Sequence, residues 1–124
     1  MPRVVVIVDD TDSVASSLAL AFRKIADVEP VVVHRALAAL HLFKAPDSKI
    51  AAIVTDLNLP DLDGFELIRE IRNLDSYRNL PAIIISADEN AAKRRAPAGY
   101  APNAVFRKPC SMREVSRVLE QLLV

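Results

Sequence analysis

Three aspartates, a serine and a lysine stand at or just beyond the ends of short apolar runs, and together they would suit phosphoryl transfer. Asp9 and Asp10 follow Val4 to Val8, Asp56 closes the run that starts at Ile50, Ser86 follows Ala82 to Ile85, and Lys108 comes after Ala104 to Phe106. Carboxylates brought to one place repel. Two unit charges about 4 Å apart do so by roughly 4 kcal/mol at an effective dielectric constant near 20. A site that keeps Asp9, Asp10 and Asp56 ionised therefore wants a cation, and an all-oxygen set with room for water suits Mg²⁺ or Mn²⁺ better than zinc. Lys108 adds a compact positive charge suited to a phosphate or a carboxylate, and Ser86 adds a hydroxyl. A carboxylate nucleophile, a metal and a lysine fit a reaction in which catalysis is mostly in-line positioning and charge neutralisation. Taken singly, each residue has a plainer reading. An Asp or Ser after a strand caps the next helix, and a Lys there is solvated. It is their joint placement that favours a site.

That placement depends on the elements beneath it. The five apolar runs, Val4 to Val8, Val31 to Val33, Ile50 to Val54, Ala82 to Ile85 and Ala104 to Phe106, are continuous and do not alternate. Continuous runs mark strands covered on both faces, as in a parallel sheet between helical layers. Helical spacing lies between them, in Val14, Leu18, Phe22 and Ile25, in Ala36, Leu40 and Phe43, in Leu67, Ile68, Ile71 and Leu74, and in Val115, Val118, Leu119 and Leu122. Asp63 with Glu66, and Ser111 with Glu114, have the spacing of helix starts. Between Asp88 and Pro102 the helix formers Ala91 to Arg95 are cut off by Pro97, Gly99 and Pro102, which predicts a short or distorted fourth helix. The alternation βαβαβαβαβα predicts an α/β fold, a doubly wound five-stranded parallel sheet with helices on both faces. In such sheets sites form beyond the carboxyl ends of the strands, where the five polar residues fall.

The bulk properties agree with one such unit, a single domain over residues 1–124. The chain is 52% hydrophobic, and its sixteen basic and sixteen acidic residues cancel, unlike the strongly basic domains that bind nucleic acid directly. Cys110 is the single cysteine, which favours a reducing compartment. No apolar run approaches the roughly 18 residues of a membrane span, and no leader pattern opens the chain. The expected location is the cytoplasm, with no membrane partner.

Four segments, in order, resemble the receiver domains of two-component signalling, a flavodoxin-like family that includes the chemotaxis regulators. They are Val5 to Asp10 with its acidic pair, Thr55 to Gly64 around Asp56, Ile83 to Ala87, and Lys108-Pro109. The resemblance covers essentially the whole chain. It implies that Asp56 accepts a phosphoryl group from a histidine kinase or a histidine phosphotransfer protein, in a Mg²⁺-dependent reaction for which Mn²⁺ can substitute. Asp10 would bind the metal directly, Asp9 through water, and Asn58 through its backbone carbonyl, with the Asn58 side chain facing the incoming group. Lys108 would pair with the phosphoryl oxygens, Ser86 would hydrogen-bond one of them, and Ala87 would leave access open. The Lys108–Pro109 bond would be cis. The chain would not turn over like a conventional enzyme, but only gain and lose phosphate at Asp56. Its output would be a changed surface for a downstream protein or an attached effector domain.

The sequence departs from the family pattern in two places. The family's switch pairs the Ser86 hydroxyl with an aromatic residue three positions before the lysine, and here that residue is Val105. Phe106 should point to the opposite side of the strand. The expectation is that Ser86 still moves, with repacking of Val105 and the fourth helix as the relay. The segment Pro97 to Asn103 also lacks the usual Gly-Ala-acidic approach to the last strand. Lys93, Arg94 and Arg95 read as a solvated face, His34 and His41 as surface or boundary residues, and Cys110 as a small packed residue.

Two alternatives belong beside this reading. The chain could be the receiver portion of a longer protein, such as a hybrid histidine kinase or a transcriptional regulator. A phosphatase of the haloacid dehalogenase type also attacks phosphate with an Asp on an α/β sheet. That family carries its nucleophile at the end of the first strand with a second Asp two positions later, whereas Asp9 and Asp10 are adjacent.

Overall fold

Branched apolar residues crowd the strands, and the chain alternates them with amphipathic helices. The computed structural model describes residues 2–88 and 101–124. In order these form β1 (Arg3–Val8), α1 (Asp12–Arg23), β2 (Val28–Val33), α2 (Ala36–Lys44), β3 (Ile50–Asp56), α3 (Gly64–Arg72), a 3₁₀ turn (Asp75–Tyr77), β4 (Ala82–Ser86), β5 (Ala104–Arg107) and α4 (Met112–Leu122). The strands pair in parallel in the order β2-β1-β3-β4-β5. This is the doubly wound five-stranded sheet expected from the runs. The anticipated helix between Asp88 and Pro102 and the basic group Lys93 to Arg95 lie outside the described residues.

Side chains of the sheet divide between two layers. Val6, Val8, Ile53 and Ile84 face α2 and α3, where Leu40, Phe43, Leu67, Ile68 and Ile71 are buried. Val5, Ile7, Val54, Ile83 and Ile85 face α1 and α4, where Leu18, Phe22, Val115 and Leu119 are buried. The alternation of side chains along a strand sends Val105 to the first layer and its neighbour Phe106 to the second. Each helix buries its apolar stripe, and two carry their own caps. Asp63 accepts the N–H of Glu66 at 2.9 Å and Ser111 accepts that of Glu114 at 3.3 Å.

One strand begins earlier than the apolar run suggests. β2 starts at Val28, ahead of the run Val31 to Val33, and so contains Glu29 and Pro30. Arg3 donates to the carbonyl of Asp27 and Asp9 to that of Val33, so the odd-numbered β2 residues are the ones that bond β1. Pro30 therefore turns its missing N–H to the open side of an edge strand, where proline is tolerated.

Candidate functional site

The carboxyl ends of β1, β3, β4 and β5 supply the five polar residues. Asp9 is 1% exposed and Asp56 8% exposed, whereas Asp10 is open to solvent. One carboxylate oxygen from each of Asp9, Asp10 and Asp56 lies within 4.8 Å of the other two. The Lys108 ammonium reaches in from beyond β5, with Nζ 3.0 Å from Asp9 Oδ2 and 3.2 Å from Asp56 Oδ2. Its backbone N–H donates to the Ser86 carbonyl at 2.7 Å, which extends the β4–β5 ladder and fixes where the side chain starts. The Lys108–Pro109 peptide bond is cis.

Electrostatics follow from burial. Withdrawal from water pushes the Asp56 carboxyl above the ordinary carboxylate range; the Lys108 charge pulls it back, and the Asp9 charge adds to the rise. Burial alone would lower the Lys108 pKa, but the hydrogen bond to Asp9 and the charges of Asp56 and Asp9 outweigh it and raise it. One ammonium against three carboxylates leaves a net negative pocket lined by oxygen donors. That donor set fits a hard divalent cation held by Asp9, Asp10 and Asp56.

The loop after β3 is built close to the site. Asn58 is exposed and its N–H points to Asp56 Oδ1 at 3.4 Å. Thr55 Oγ1 donates to the Asp56 carbonyl at 2.9 Å. Gly64, the first residue of α3, donates its N–H to the Leu57 carbonyl at 2.7 Å. A Cβ there would sit 2.8 Å from the Asp56 carbonyl oxygen, so only glycine lets α3 press against this turn. Ser86 is fully buried, and its hydroxyl accepts the N–H of Asp88 at 3.0 Å. Val105 is half-buried at its place on β5.

Two residues near the site were given no role in it from sequence. His34, read as a surface or boundary residue, is exposed and places Nδ1 2.9 Å from the Asp9 carbonyl oxygen. Asp61 accepts the N–H groups of Ala36 and Leu37 at the start of α2. A signal existed for His34, because it directly follows the β2 run just as Asp9 follows β1. Asp61 gave none, since its partners are remote in sequence. His41 is exposed on α2, and Cys110 is half-buried against the α1 and α4 layer.

Residues 5–120 match the response regulator receiver domain family, and the chain belongs to it. Among relatives, it is 39% identical over 80 residues to the transcriptional regulatory protein FixJ of Rhizobium meliloti, an alignment covering 64% of this chain and 37% of that protein. The chain spans about half or less of the length of the first curated relatives it matches. Its fold is that of the chemotaxis response regulator CheY4 of Vibrio cholerae, with a TM-score of 0.84, 21% identity, and coverage of 99% of this chain and 100% of that one. It is also that of the receiver domain of the sensor histidine kinase PA1611 of Pseudomonas aeruginosa, with a TM-score of 0.82, 22% identity, and coverage of 99% and 98%. The PA1611 structure has a magnesium ion coordinated in its active-site cleft. Among the described residues, no helix is long and apolar enough to cross a membrane.

Proposed function

We propose that residues 1–124 act as one cytoplasmic receiver domain that takes a phosphoryl group onto Asp56 from a histidine kinase or a histidine phosphotransfer protein. The observation that carries this reading is the convergence of the Asp9, Asp10 and Asp56 carboxylates within 4.8 Å, with Lys108 bridging Asp9 and Asp56. Asp9, Asp10, Asp56 and the Asn58 backbone carbonyl would hold Mg²⁺ or Mn²⁺. Such an ion supplies neutralisation of charge on the carboxylates and on the transferring group.

The chain's own residues do the rest. An Asp56 carboxylate oxygen forms the new bond to phosphorus as the bond to the donor's imidazole nitrogen breaks, and the imidazole leaves carrying that electron pair. The Lys108 charge opposes the rise that burial gives the Asp56 pKa, and its ammonium pairs with the phosphoryl oxygens as charge gathers on them. Ser86 exchanges its bond from the Asp88 N–H for one to a phosphoryl oxygen, and Val105 relays the shift by repacking. The changed surface then meets a downstream protein or an attached effector domain. The short span of the chain against its relatives supports the view of a receiver within a longer protein equally well.

Incubation with acetyl phosphate and Mg²⁺, followed by intact mass spectrometry, tests this. A single phosphoryl adduct is expected, absent without metal and absent in Asp56→Asn. Multiple turnover of a phosphate ester with no stable adduct would favour a phosphatase instead.

A further inference from the structure

Asp9 is fixed through its backbone as well as its side chain. Its N–H donates to the Val33 carbonyl at 3.2 Å, one step past the last paired residues Val8 and Val33. A continued parallel ladder would next send the N–H of Arg35 to the Asp9 carbonyl. The chain instead turns into α2, whose first residue is Ala36. The His34 ring stands in for the missing donor, with Nδ1 2.9 Å from the Asp9 carbonyl oxygen. A carbonyl only accepts, so Nδ1 carries the hydrogen. The other ring nitrogen lies 3.5 Å from Asp12 Oδ1, in the first turn of α1.

The bonded carbonyl belongs to the peptide that joins Asp9 to Asp10, so its orientation sets the direction in which Asp10 leaves the strand. Asp10 needs such help. It is exposed, and among the described residues no donor hydrogen-bonds its carboxylate, whereas the Asp9 carboxylate is held by the Thr11 N–H at 2.8 Å and by Lys108. We propose that His34 is a positioning residue of the metal site, holding the Asp9–Asp10 peptide so that both carboxylates converge with Asp56 before a cation arrives. This rests on the reading of the site as a metal-dependent phosphoryl acceptor. Partners that orient ligands in this way commonly account for about 10- to 100-fold in metal affinity.

The test is Mn²⁺ binding, followed by electron paramagnetic resonance of the free ion, in the full chain and in His34→Ala, His34→Asn and His34→Gln. Thermal unfolding without metal is recorded alongside. The Asn amide nitrogen is as many bonds from Cα as Nδ1 and can donate in its place, whereas the Gln nitrogen is one bond farther out. His34→Ala and His34→Gln should weaken Mn²⁺ binding about tenfold, while His34→Asn keeps most of the affinity and the metal-free midpoints stay together. Unchanged affinity in His34→Ala, or an Asn variant as weak as the Ala variant, would overturn the proposal. A readout that needs no variant is ¹⁵N NMR of the imidazole in mildly alkaline, metal-free solution, where a neutral ring should carry its hydrogen on Nδ1. A hydrogen on Nε2 alone would also overturn it. Wild-type protein that binds no Mn²⁺ would refute the metal-site reading itself, and this proposal with it.

Discussion

The Asp61 carboxylate accepts the N–H of Leu37 at 2.9 Å, and so caps a helix that begins 25 residues before it. Helix α2 has Arg35 at its N-cap with no side-chain cap bond, and its first turn contains no acidic residue. The vacant donors at its start are met from the β3–α3 loop, with Ala36 at 3.0 Å and Leu37 on the two Asp61 oxygens. The loop that follows Asp56 and carries Asn58 is thereby tied to a neighbouring helix.

Asp61→Ala should lower stability by about 1 kcal/mol at neutral pH, the usual worth of a cap, read by urea unfolding. Partial burial would raise the Asp61 pKa, but the backbone N–H bonds from Leu37 and Ala36 outweigh it and hold the carboxyl below its ordinary value of 3.8. A lowered folded pKa stabilises the fold wherever the group is ionised in both states, and that contribution is lost as pH falls through the folded value. The gap between wild type and variant should thus be constant above the ordinary carboxylate range and shrink below it. A gap that widens in acid would be inconsistent with the cap.

Gly64→Ala tests the contact between α3 and the turn that follows Asp56. The added Cβ would meet the Asp56 carbonyl oxygen at 2.8 Å and the Leu57 Cα at 3.1 Å, both backbone atoms with little room to yield. A loss of about 1–3 kcal/mol is expected, as for other overpacked sites. Amide shifts in ¹⁵N NMR should be largest at Asp56, Leu57 and Asn58. A helix-stabilising gain from Ala would mean that the contact relaxes freely.

Mg²⁺ should raise the unfolding free energy of the wild-type chain by about 1.4 kcal/mol when present at about ten times its Kd. Asp10 is exposed, so Asp10→Asn should fold with near-normal metal-free stability yet lose most of this gain. Calorimetric melts with and without Mg²⁺ measure both. An equal gain in the variant would remove Asp10 from the ligand set.

The strands that carry Asp9, Asp56, Ser86 and Lys108 could be read from sequence because buried parallel strands leave continuous apolar runs, and a run's end locates its polar residue. The caps Asp63 and Ser111 were legible for a similar reason, since donor and acceptor are three residues apart. Pro30 hid the start of β2, because nothing local tells an edge strand from a break. His34 and Asp61 were missed because their partners lie 25 residues away and meet them only once β2 and the β3–α3 loop are placed. The pairing of Lys108 with both Asp9 and Asp56 likewise depends on the order of strands, which no local pattern encodes.

The chemical identity of the acceptor is the most direct test of the whole account. Borohydride reduces an acyl phosphate to the alcohol, so reduction after treatment with acetyl phosphate and Mg²⁺ should leave homoserine at position 56, located by peptide mass spectrometry. Homoserine at position 56, and unmodified aspartate at positions 9 and 10, is the result predicted. Phosphate retained on a histidine, or homoserine at another aspartate with Asp56 intact, would contradict it.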